Sequence, residues 1–306
     1  MQSASRRAFL QGRRRANTPW GRFCQRISRV VEGKFLELEG SGDVGVARLT
    51  AASNSDIYHA LALCQEYEVR MALHGLSFAS SQGCNTLWVS PGSGLGGYQR
   101  LQGHGSRWFV QPGCTLGTLV QAGLDAFTSL PPDKTIASWL ADRTLSDFAP
   151  NNTWQSGIEH AKLLLGDGSS ISLGPFGRDN TKPLEGRRVQ ELIPALFSLS
   201  GLEQMQSFAN ADFWPMKYRL DALLNNGSKH GMNLAQILPG HGGDLGWVEW
   251  LVINAEHLDP DQGLEFRYST ELLEQSQWCE LANGIDAKIK RLFDPDNVFT
   301  VNGQVI

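Results

Sequence analysis

The sequence predicts an α+β protein of two domains, and three observations lead there. Apolar, β-branched and aromatic runs of strand length alternate irregularly with stretches of helical period, which fits neither a helical bundle nor a regular βαβ array. The 306 residues are 41% apolar and 19% charged with a formal net charge of -4, so the chain can bury a large core and is too mixed for disorder. Several strand-like runs end in loops of Gly, Ser and Pro, residue types that let a ligand approach the backbone.

The same composition excludes some functions. A near-neutral balance argues against nucleic acid, whose binders need a basic face to displace counterions. Cys24, Cys64, Cys84, Cys114 and Cys279 are odd in number and widely spaced, so reduced thiols are expected rather than disulfides or a thiolate metal site. No run has the length of a membrane span, and mean hydropathy is -0.25.

Taken in order, residues 5–12 resemble a twin-arginine export signal, which requires an uncharged apolar segment next. Arg13, Arg14, Arg15, Arg22, Arg26 and Arg29 follow instead. Residues 1–43 are therefore read as a basic arm or exposed helix able to dock an acidic partner, and a cytoplasmic protein is expected.

Residues 44–50 read as a strand, and Ser53 to Asp56 supply cap residues for a helix over 56–67 with Ile57, Ala60, Leu61 and Cys64 on its core stripe. A strand at 69–73 then enters a loop of small residues over 74–83, whose successive amides can hold a pyrophosphate or simply form a surface turn. Strands follow at 87–90 and 107–110, and Thr115 caps a helix whose end carries Leu124, Phe127 and Leu130.

Pro131 and Pro132 stop that helix, because proline lacks an amide proton and displaces its predecessor from the α region. Thr135, Ile136, Ala137 and Ser138 then place small side chains and free amides where a flat ligand or phosphate can lie. A strand at 158–165 turns at 166–170 and returns over 171–173, and a last helix spans 286–293.

With these pieces in sequence order, the chain resembles the flavin-binding family typified by vanillyl-alcohol oxidase and p-cresol methylhydroxylase, the FAD-binding PCMH-type fold, and within it the FAD-binding subunit of glycolate dehydrogenase. The matching stretches are His74 to Gly83, Gln111 to Leu119, Leu130 to Ala141, Lys162 to Gly168, Leu196 to Gly201 and Leu292 to Phe299. The resemblance implies FAD between two α+β subdomains in residues 44–203, a short cap or substrate domain over 204–285, and a C-terminal segment, 286–306, that returns to the FAD domain.

It further implies cofactor contacts at His74, Gly75, Ser77, Pro132, Thr135 and Ser138. The implied activity is hydride removal from a small hydroxy acid or alcohol, with an electron-accepting partner subunit. The departures cluster at the cofactor: Leu73, His74, Gly75 and Leu76 stand where the family carries consecutive glycines, and Ala137-Ser138 replaces a glycine pair. A catalytically degenerate flavin-fold subunit acting in binding or assembly is the alternative.

In 204–285 the run Trp247 to Ile253 reads as a strand of a small separate antiparallel sheet, with Glu249 between apolar neighbours. His230, His241 and Asp244 lie in glycine-bounded sequence, and His241 is the candidate base beside a flavin, because an imidazole titrates near neutrality. Arg219 and Arg267 can clamp a carboxylate or serve as surface charges, and Gln275 and Gln277 read as a solvated helix face.

Overall fold

A computed structural model describes residues 18–38, 44–76, 83–103, 105–177, 186–224, 231–259 and 278–300. It is an α+β architecture built on two sheets. The first has four strands in the order β1-β2-β4-β3, where β1 is Lys34–Leu38, β2 Val46–Ala51, β3 Arg70–Leu73 and β4 Thr86–Pro91. Strands β2, β4 and β3 run parallel, and β1 closes the edge antiparallel to β2.

Two helices cover this sheet. Helix α1, Pro19–Val30, starts where Thr18 accepts a hydrogen bond from the Gly21 amide at 3.0 Å and Pro19 presets the first turn. It buries Phe23, Cys24 and Ile27 beside the predicted stripe Ile57, Ala60, Leu61 and Cys64 of α2, Asn54–Tyr67. Asp56 fixes the entry to α2, since its buried carboxylate accepts from the amides of Glu32, Gly33 and Ala52 at 2.8, 2.9 and 2.8 Å.

The second sheet is antiparallel, in the order β5-β6-β9-β7-β8. Its strands are β5 Tyr98–Arg100, β6 Arg107–Val110, β7 Ile158–Leu164, β8 Ser170–Leu173 and β9 Trp247–Asn254. The run around Trp247 therefore does not seed a separate cap sheet: β9 inserts between β6 and β7, and its apolar character on both faces is that of a covered central strand.

Short helices α3, Leu116–Gln121, and α4, Ile136–Ala141, join the two sheets. Helix α3 stops earlier than the Leu124, Phe127, Leu130 spacing suggests, because Gly123 takes φ +103° and a 3-10 turn, Asp125–Phe127, buries Leu124 and Phe127 instead. Helix α5, Arg187–Ser200, leads to the short α6, Glu203–Ala209, and α7, Cys279–Phe293, is longer than expected.

Two apolar cores meet at the junction, where Ala137, Ala141, Leu164 and Trp247 pack into the core of the first sheet. A polar strut ties the same lobes together. The Glu249 carboxylate of β9 accepts from Tyr58 of α2 at 2.7 Å and Ser170 of β8 at 2.8 Å, with Lys162 at 3.1 Å. None of the five cysteines is in a disulfide.

Candidate functional site

In an open sheet, ligands lie outside the carboxyl ends of parallel strands. Here the end of β3 runs into His74 and Gly75, and α4 begins opposite them. Gly75 takes φ +95°, and among the described residues a side chain there would find only the Ser138 hydroxyl near, at 3.7 Å, so on that side the approach is open. Lys134 donates from Nζ to the Gly75 carbonyl at 3.1 Å, which fastens the strand end to the turn before α4.

The predicted contacts His74, Gly75, Thr135 and Ser138 thus converge on one edge. His74 is exposed, sits edge-on to Trp88 with ring centroids 6.5 Å apart, and is held below the usual imidazole range by partial burial and the nearby Arg48 charge. Thr135 and Ser138 share a hydroxyl contact at 3.1 Å. Pro132 belongs to the same exposed turn but packs on Gly117 and accepts its amide at 3.0 Å. Ser77 lies outside the described residues, as do His230, Arg267, Gln275 and Gln277.

The amides over 136–138 differ from expectation. They open a helix rather than a loop, and each is already bonded: Ile136 to the Cys114 carbonyl at 2.9 Å, Ala137 to the Pro112 carbonyl at 3.0 Å, and Ser138 to Thr135 Oγ1 at 3.2 Å. The physical reason is local symmetry. Thr115 and Thr135 form an isolated antiparallel bridge, each caps its own short helix, and the Leu116 amide reciprocates by donating to the Lys134 carbonyl at 2.8 Å.

His241 lies behind this edge. Segment 240–242 hangs on the end of α4, through Gly240 to the Leu140 carbonyl and Gly242 to the Ala141 carbonyl, both at 2.8 Å. Gly243, at φ +75°, passes so close to Leu73 that a side chain would meet its Cβ at 2.8 Å. His241 and Trp247 line a cavity of about 10 Å³ with Leu73, Val89, Ala137 and Phe299, and neither His241 Nδ1 nor Trp247 Nε1 has a hydrogen-bond partner among the described residues. Such a space holds about one water.

Burial pushes the His241 imidazole down to about 4, with Lys217 adding to the effect and Asp244 opposing it. That corrects the expectation of a base poised near neutrality, because an enclosed imidazole of that acidity accepts a proton poorly at pH 7. Arg219 is also not a substrate clamp. It is fully buried and donates to Asp221 at 2.7 and 3.0 Å and to the carbonyls of Phe148 and Ala149 at 2.7 and 3.0 Å.

FAD needs a cradle for two phosphates and a slot for a three-ring system. The described residues fit the phosphate end through open backbone at Gly75, the hydroxyls of Thr135 and Ser138, and the Lys134 ammonium. The space between Leu73 and Trp247 is water-sized and does not itself admit a ring. Lys134 and Trp247 were not singled out by sequence reasoning; the Pro-Pro-Asp-Lys-Thr order is the signal that carries the first.

No family model matches the chain, and no curated protein matches it. Among solved structures it is similar to BBE-like 1 from Physcomitrella patens, with a TM-score of 0.40 and 10% identity over 76% of this chain and 44% of that one. A single-residue variant of that protein gives 0.41 and 11% over the same shares. An alkyldihydroxyacetonephosphate synthase gives 0.36 and 10% over 69% of this chain and 32% of that one. The chain therefore spans less than half the length of each of these proteins.

Proposed function

We propose that the chain is an FAD-linked flavoprotein of the vanillyl-alcohol oxidase and p-cresol methylhydroxylase type, an oxidoreductase acting on a small hydroxy acid or alcohol. The observation that carries this reading is the convergence of His74, Gly75, Thr135 and Ser138 at the carboxyl end of β3, between a mixed and an antiparallel sheet. The ordered sequence motifs support it. Bound FAD would supply the hydride acceptance.

The chain's own part is to hold and orient. Lys134 brings positive charge to the phosphate edge, and the two hydroxyls offer donors without a bulky side chain. His74, kept neutral near pH 7, adds a ring hydrogen bond rather than a second charge. An electron-accepting partner subunit, as in a glycolate dehydrogenase-like complex, and a cytoplasmic setting belong to this reading.

A second reading, a degenerate flavin-fold subunit acting in assembly, is favoured by the bonded amides of α4 and the water-sized space beside His241. The visible spectrum of the purified chain with and without added FAD separates the two. A flavin band retained by the protein, lost in Ser77→Trp and weakened about tenfold in Lys134→Glu with cooperative unfolding intact, supports the enzyme. A colourless protein that ignores FAD sinks it and leaves the assembly role.

A further inference from the structure

Helix α7 places Asn283, Asp286 and Lys290 on one stripe, and its C-cap Asp294 follows, at spacings of three, four and four. Opposite them stand Lys217 and Tyr218, and the space between is a cavity of about 300 Å³ that opens at the exposed Arg291. That volume is at the lower end of small-molecule sites. Arg70 donates to the Asp296 carbonyl at 3.3 Å and Met71 pairs with Phe299, so this cavity adjoins the amino end of β3 and the phosphate edge lies at its other end.

The charges around it can be paired off one by one. Lys217 bonds to the Asp244 carboxylate, and Tyr218 donates to the same carboxylate at 3.0 Å. Lys290 bonds to Asp294 and to the Phe299 carbonyl at 3.0 Å. Each buried ammonium thus has its own buried carboxylate. Two charged groups are left. Among the described residues Arg291 has no carboxylate partner, and the hydrogen bonds that Asp286 accepts come from the backbone amides of Lys217 at 2.7 Å and Tyr218 at 3.2 Å.

Arg291 and Asp286 therefore decide the charge of the lining. Counting Asp244, which lies outside the lining but pairs with Lys217, three cations stand against three carboxylates when Asp286 is ionised, and one positive charge is uncompensated when it is protonated. Burial raises Asp286 to about 7 against the opposing pull of the Lys217 and Tyr218 amides and the charges of Lys217 and Arg143, with Lys290 one turn along its own helix. Both forms are accessible near neutrality. The Asn283 amide adds a neutral donor to the lining.

We infer that this cavity is a binding site for a small organic monoanion, such as a short-chain carboxylate, held between Arg291 and Asn283 beside Asp286. A cationic ligand fits worse, because taking it up below neutrality adds charge to a lining that is already positive.

The test is a titration of the full-length protein with acetate, followed by heteronuclear chemical shifts, with methylammonium as the cation control. With the Asp286 carboxyl raised to about 7, acetate should bind several-fold more tightly at pH 6 than at pH 8. Asp286→Asn should bind equally at both pH values and match the wild type at pH 6. Arg291→Gln, on an exposed position, and Asn283→Leu, which fills the cavity, should each weaken acetate several-fold without changing the melting temperature appreciably. Those two variants keep the test sound should Asp286→Asn fold poorly. No acetate binding at pH 6, equal affinity in Arg291→Gln and Asn283→Leu, or tighter methylammonium binding would each overturn the inference.

Discussion

His241→Leu removes a titrating group from the junction of the two sheets while roughly conserving volume. In the folded chain burial holds the imidazole at about 4, against an ordinary 6.5. That gap is worth about 3 kcal/mol, and its sign is fixed by which state binds the proton. Between these two values the unfolded chain is protonated and the folded chain is not. The stabilisation is present above pH 6.5 and is lost as pH falls through 4, at up to about 1.4 kcal/mol per pH unit.

Asp286 works in the opposite direction. Its carboxyl is raised from 3.8 to about 7, so the folded chain binds the extra proton and gains stability as pH falls through that interval. The two buried groups largely offset each other in the wild type between pH 7 and 4. Removing His241 exposes the imbalance: His241→Leu should become more stable relative to wild type by about 3 kcal/mol on going from pH 7 to pH 4. Urea unfolding of both proteins at pH 7, 5.5 and 4.5 reads the difference directly, since contributions from every other group cancel. A constant offset between the two curves would refute the argument and show that His241 is solvated in the folded protein.

Three further outcomes follow from buried hydrogen bonds. Asp56→Ala strands the amides of Glu32, Gly33 and Ala52 and should cost about 3–5 kcal/mol in denaturant unfolding, with partial rescue by Asn. Arg219→Leu leaves Asp221 buried without its bidentate partner and should cost about 3–5 kcal/mol; a loss below about 1 kcal/mol would mean that Asp221 finds another partner. Thr135→Ala removes the cap of α4 and should cost about 1 kcal/mol, visible as faster amide exchange at Ser138 before any change in global stability.

What could be read from the residues alone was whatever depends on near neighbours. The stripe Ile57, Ala60, Leu61, Cys64 lies on the buried face of α2, and β6 has the expected ends at Arg107 and Val110, because helical and strand periods are local properties. The place of β9 was not legible, since its partners β6 and β7 lie far away in the chain and a run apolar on both faces does not name them. The amides of Ile136 and Ala137 looked available because their acceptors belong to Cys114 and Pro112, on the other side of the Pro-Pro turn. Burial was the other hidden quantity: it turns Arg219 from a candidate ligand into a core strut and separates His241 and Asp286 from their ordinary acidities.

The bridge between Thr115 and Thr135 gives the junction a mechanical character. Two short helices spring from one crossing point, and the amide that opens each is locked to the strand leading into the other. Neither helix can tilt alone without breaking a bond of its twin. Such a coupled pair behaves as a stiff hinge pin between the sheets. A dinucleotide meeting it would find side-chain donors already in position and little left to order, whereas recruiting the backbone would mean dismantling both halves together.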